Sequence, residues 1–201
     1  MPPIPADLSR YDPVWRAAEP LMRARKNDVH VPLSFHWCAR LLDAIPEADR
    51  DVCLLAILLH DIGWSTIDMD RIIAEGFRGE NILQSDVRYL HEAEGVRLAR
   101  PILAETGWPD AIADQVCEII DGHDTRPDPR HLNDRVVRDA DKLWRFSEAG
   151  IAVAADWFGT TPRGYADRLE DQVGALETAP GREMARRELD ATRIALMLHV
   201  L

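Results

Sequence analysis

Leu54-Leu55-Ala56-Ile57-Leu58-Leu59 runs straight into His60-Asp61-Ile62-Gly63. The unbroken apolar run has no strand-like alternation, and the segment 48–61 is apolar nearly all round, as a helix at the centre of a bundle must be. An imidazole and a carboxylate at the tip of such a helix are withdrawn from water. That costs several kcal/mol unless a partner compensates.

Outward from this segment the periodicity is helical throughout, with no convincing strand. An opening helix is expected over 12–26, with Trp15, Ala18, Leu21 and Met22 on one face. Pro32 and Ser34 suit the start of a second helix running to about Ile45, proline being tolerated in a first turn. After the mixed, glycine-containing stretch 62–84, regularity returns at 86–106. Trp108-Pro109 opens another helix, closed by Gly122 as a left-handed cap. Asn133 is a good N-cap for 134–147. Further helices are expected near 148–157, 162–178 (Thr161-Pro162 as cap and first position) and 181–200. The fold class is all-α, and residues 1–201 are expected to form a single helical domain with no repeat or linker.

The chain of 201 residues, 46% apolar and 29% charged, has the composition of an ordinary globular protein. No apolar stretch approaches the roughly 20 residues that span a bilayer, so no membrane partner is expected. Met1-Pro2-Pro3-Ile4-Pro5 lacks a basic segment and an apolar h-region, and a cytoplasmic location is expected. Three cysteines, Cys38, Cys53 and Cys117, lie within apolar helical patterns and read as small core residues rather than a disulfide framework. The net charge of −11 argues against duplex nucleic acid as a partner. A small phosphorylated substrate stays compatible with it, because a bound cation can reverse the potential of one cleft. The amphipathic C-terminal helices could pair across a homodimer.

Candidate ligands flank the central pair: His36 upstream, and His91, His123 and Asp141 downstream. Periodicity puts each near a helix end or on an apolar face, so five helical segments could turn towards one point. Imidazole and carboxylate together bind Mn, Fe, Co, Ni or Zn without thiolate. Such a cation, with open positions, activates water and polarises a phosphoryl or carbonyl oxygen. A lone buried histidine is more often a hydrogen-bonded core residue; here the set as a whole makes the case for ligands. His30, in a pre-proline turn, His131, in a loop, and His199, in the last turn, take the ordinary reading. Asp139 lies two positions from Asp141, about 160° away on a helix, and Asp141 is the chosen ligand. Arg40 and Arg145 each follow a ligand by one turn. Either could clamp a phosphate through bidentate hydrogen bonds, or pair with nearby acids. The stretch 62–84, with Trp64, Arg71, Phe77 and Arg78, reads as a substrate-selecting lid or as a plain surface loop.

The order His36, His60-Asp61 and Asp141 within Ala140-Asp141-Lys142-Leu143 resembles the HD-domain superfamily of metal-dependent phosphohydrolases, over about 33–146. His91 and His123 extend this to the H…HD…H…H…D form of its dinuclear members. Two positions depart from the pattern: Trp64 stands where many members have lysine, and Asp124 where dinuclear members often have a second histidine. The resemblance implies a first metal on His36, His60, Asp61 and Asp141, and a second on His91 and His123 with Asp61 bridging. It also implies that Asp61 orients or deprotonates an attacking water. The activity so implied is hydrolysis of a phosphomonoester or phosphodiester of a nucleotide or other small molecule, with one or two divalent ions. The same ligands also resemble those of HD-fold diiron oxygenases, which cleave C–C or C–P bonds with O₂, and a non-catalytic ligand-binding HD module is a third reading.

Overall fold

The computed structural model describes residues 6–76 and 85–198. Among the described residues the chain forms ten α-helices joined by turns and short 3-10 segments, with no strand, as the periodicity requires. In order these are α1 (Asp12–Ala18), α2 (Asn27–Ala44), α3 (Arg50–Leu59), α4 (Met69–Gly76), α5 (Asp86–Glu105), α6 (Asp110–Ile120), α7 (Leu132–Leu143), α8 (Glu148–Trp157), α9 (Pro162–Gln172) and α10 (Ala179–Leu198).

The most apolar helix sits at the centre. Every residue from Val52 to Leu59 of α3 is buried, with α2, α6 and α7 packed around it and α1 over one side. The α5 helix lies against α6 and against the 3-10 turn Ile62–Thr66 that follows α3. The last three helices pack on one another and on the region after α7. All three cysteines are buried and free. No helix among the described residues is long and apolar enough to cross a membrane.

Local signals account for most boundaries. Asp49 caps α3 by accepting from the Val52 N–H at 3.1 Å. Ser147 and Thr161 cap α8 and α9 in the same way, each at 3.1 Å, with Pro162 at the first position of α9. Gly122, with φ +111°, turns the chain just past the end of α6.

Four expectations are corrected. The opening helix stops at Ala18, because Pro20 brings no N–H and its ring blocks the preceding turn, and 3-10 turns carry the chain on. The second helix begins at Asn27, with Pro32 inside it; so early in a helix, proline removes only one of the first intrahelical hydrogen bonds. The cap of α7 is His131, whose Nδ1 accepts from the Asp134 N–H at 3.2 Å, while Asn133 Oδ1 accepts from the Asp49 N–H at 2.9 Å. The helix ends at Leu143, followed by the 3-10 turn Trp144–Phe146.

The first half of the 62–84 stretch is packed: Trp64, Ile67 and Ile72 form a small buried cluster with Ala24 and Val87. Phe77 and Arg78 lie outside the described residues.

Candidate metal centre

The buried stripe of α2 is Asn27, His30, Val31, Ser34, Trp37, Cys38, Leu41 and Leu42, the spacing of one helical face. His30 is therefore the histidine that α2 turns inward. His36 sits six residues on, about 120° around the helix. It is half-buried, edge-on to Trp37, and burial together with nearby Arg40 lowers its pKa. Arg40 is exposed; it lies over the Trp37 ring and in the field of Glu188. The expected His36 and Arg40 are thus not brought to the site, and His30 takes the place given to His36. The cause is the misread start of α2: a helix beginning at Pro32 leaves His30 in a turn and offers His36 as its first histidine.

The α3 helix delivers His60 as its C-cap, and the chain turns at Asp61 (φ −107°, ψ 3°), a bridge-region conformation found often in active sites. Asn27 holds this turn by donating from Nδ2 to the Asp61 carbonyl at 3.1 Å. The turn lies against the backbone of α5, and only glycine allows it. A Cβ on Gly63 would stand 2.0 Å from the His91 carbonyl oxygen, and one on Gly95 3.0 Å from Ile120 Cγ2. This close approach brings His91 beside Asp61.

His123 arrives on the turn after α6, which is tied down on two sides. Buried Glu92 accepts from the Asp124 and Thr125 N–H groups at 2.8 and 2.9 Å. From behind, the Arg138 guanidinium donates to the Gly122 carbonyl at 2.9 Å and to Asp134 at 3.0 Å. Asp124 turns its carboxylate to Arg88, whose Nε donates at 2.8 Å.

On α7 the two aspartates separate as helical geometry demands. Asp139 accepts from Glu177 N–H, Thr178 N–H and the Thr178 hydroxyl at 2.7, 2.8 and 2.7 Å, holding the start of α10. Asp141 faces the site, its Oδ1 lying 2.9 Å from His30 Nε2 and 3.3 Å from His60 Nε2.

The cluster has two halves that share Asp61. On one side His30 Nε2 and His60 Nε2 are 3.0 Å apart, with Asp61 Oδ2 3.6 Å from His60. On the other, His91 Nε2 and His123 Nε2 are 3.4 Å apart, and Asp61 Oδ1 lies 3.7 and 3.6 Å from them. Each of His60, His91 and His123 turns Nδ1 to a backbone carbonyl of its own segment, that of Ile57, Val87 and Ile120, at 2.7, 3.3 and 2.9 Å. A carbonyl only accepts, so Nδ1 carries a proton and Nε2 is the inward atom, able to give its lone pair to a cation. Lone pairs and carboxylate oxygens thus crowd together in a buried space. Asp141 Oδ1 is buried without a well-directed hydrogen bond. Acceptors so placed repel one another unless a cation lies among them, and the residues fit one: His30, His60 and Asp61, and Asp61, His91 and His123, each offer atoms close enough to share an ion.

The electrostatics agree. Burial disfavours charge on His123, yet Asp61, Asp124 and Glu92 outweigh it and raise its pKa to about 9. Burial likewise opposes ionisation of Asp141, but His30 and His60 hold its carboxyl well below the usual range. For His30 burial wins and lowers the pKa. The site draws positive charge while keeping an imidazole neutral for ligation.

An all-α scaffold that gathers four histidines and two aspartates from α2, α3, α5, the turn after α6 and α7 defines a divalent-metal-binding domain. The HD domain family model matches residues 30–145, beginning at His30, and the chain belongs to that family, whose members are mostly metal-dependent hydrolases. No curated protein and no solved structure matches the chain.

Beyond His30, one further residue outside the expected set reaches the centre: Trp64 Nε1 donates to Asp61 Oδ1 at 2.9 Å. The Asn27–His30–Ser34–Trp37–Cys38–Leu41 spacing was a readable signal for His30. Nothing in the sequence signalled the Trp64 contact.

Proposed function

We propose that the chain is a metal-dependent phosphohydrolase acting on a phosphomonoester or phosphodiester of a nucleotide or other small molecule. The observation that carries the reading is the division of Asp61 between two histidine pairs, with Nε2 lone pairs turned inward on both sides. One or two divalent ions (Mn, Fe, Co, Ni or Zn) would be held by His30, His60, Asp61 and Asp141, and by Asp61, His91 and His123. When bound, they supply Lewis acidity towards a phosphoryl oxygen and acidify water.

The chain's own groups do the rest. Asp61, buried and held at its carbonyl by Asn27 and at Oδ1 by Trp64, orients the attacking water and accepts its proton. Arg145, on the 3-10 turn after α7, lies beside Tyr165 and within the field of Asp141, Asp124 and Asp61. These groups offset the burial that opposes its charge and raise its pKa, which suits a guanidinium meant to bind an anionic phosphoryl group near the cations. The whole chain acts as one domain in this reading, and the C-terminal helices α9 and α10 could also serve a homodimer contact.

The test is metal analysis of protein purified without chelator, followed by a panel of phosphomonoesters and phosphodiesters with Mn²⁺ or Co²⁺ under anaerobic conditions. Phosphate release that chelation abolishes, and that is lost together with metal retention in Asp61→Ala, is the expected result. Full activity in Asp61→Ala, or O₂ consumption by an iron-loaded protein that hydrolyses nothing in the panel, would overturn it.

A further inference from the structure

Trp64 touches both Asp61 and His91, two members of the same half of the cluster. Its position three residues after Asp61, in the 3-10 turn, sends the indole back over the carboxylate. Nε1 then donates to Oδ1 at 2.9 Å. The ring lies flat on His91, with centroids 4.1 Å apart and planes 11° apart. Only 2% of the residue is exposed. Ala24, Ile67, Ile72 and Val87 close around it. One side chain thus locks the orientation of the carboxylate and of one imidazole together.

The two oxygens of Asp61 are not equivalent in consequence. Oδ1, facing His91 and His123, shares its lone pairs with the indole N–H, while Oδ2 faces His60. We propose that Trp64 is a positioning residue for the His91–His123 side of the centre. It sets the cation affinity there, and affects the His30–His60–Asp141 side less, only through the carboxylate of Asp61 that the two sides share. The inference rests on the two-ion form of the reading above, with one divalent cation on each side of Asp61. A partner that orients a ligand is commonly worth about 10–100-fold in metal affinity.

A second tryptophan reports on the opposite half. The Trp144 ring lies 4.7 Å from that of His30. A cation on either side therefore perturbs a different indole.

Metal-free wild type and Trp64→Phe are titrated with Co²⁺ against a chromophoric chelator. Zn²⁺ titration of the wild type is followed on assigned indole ¹⁵N–¹H resonances. The expected result is two uptake steps in wild type, one moving the Trp64 resonance and the other that of Trp144. In Trp64→Phe, which keeps the aromatic ring and loses the N–H, the step tied to Trp64 weakens by about tenfold or more and the other step by clearly less. Equal weakening of both steps, the mark of a packing role alone, overturns the inference, as does no change in either. If Trp64→Phe does not fold, the wild-type titration decides: a Trp64 resonance unmoved by either step refutes the proposal, and one moved by a single step supports it. Fewer than two steps in wild type would instead remove the two-cation reading itself, and this inference with it.

Discussion

Gly63→Ala adds one methyl group at the contact that builds the site. The new Cβ would stand 2.0 Å from the His91 carbonyl oxygen and 2.5 Å from the Gly95 nitrogen, where real Cβ contacts stay above 3.0 Å. Both obstacles are backbone, so no rotamer relieves them, and the turn and α5 must part by about 1 Å. Gly63 does not have a positive φ, so the penalty is steric alone. Overpacking of this kind costs about 1–3 kcal/mol; rigid backbone on both sides puts the expected value near the upper end. For a chain of this size that lowers the thermal midpoint by roughly 6–12 °C. His91 travels with α5, so its Nε2 withdraws from Asp61 Oδ1, already 3.7 Å away, and cation binding on that side falls, because metal–ligand distances tolerate only about 0.2 Å. Calorimetric unfolding of the metal-free chain and a Co²⁺ titration measure the two effects. An unchanged midpoint with unchanged uptake would refute the view that glycine at this position sets the distance between Asp61 and His91.

His30→Ala and His36→Ala separate the two histidines of α2. The first should lose more than the roughly 10–100-fold in metal affinity that removing a ligand's supporting partner costs, and the second should retain metal like wild type. Metal content after gel filtration decides between them, and the reverse result would restore His36 to the centre. Asp139→Ala strips the acceptor from two backbone N–H groups and a hydroxyl at the start of α10, leaving buried donors unpaired at about 1–3 kcal/mol each. Chemical denaturation should show a loss of about 3 kcal/mol or more with metal uptake on the Asp141 side retained; loss of metal at unchanged stability would reverse the roles assigned to the two aspartates.

Much of the molecule was determined by sequence alone, because the deciding forces are local or follow from helical period. The all-α class, the buried α3, and the caps at Thr161 and Gly122 need only neighbouring residues. So does the choice of Asp141 over Asp139: successive helix positions turn by about 100°, so the two side chains had to face opposite ways. Close approach of distant segments decided the rest. Pro32 reads locally as a helix start, yet burial of Asn27, His30 and Val31 against the core carries α2 a turn further back and exchanges His36 for His30. His131 displaced Asn133 as a cap because Asn133 is engaged by the Asp49 N–H from another helix. The joining of Trp64 to Asp61 and His91 depends on how the turn after α3 meets α5, a contact that two glycines permit and that no periodicity encodes.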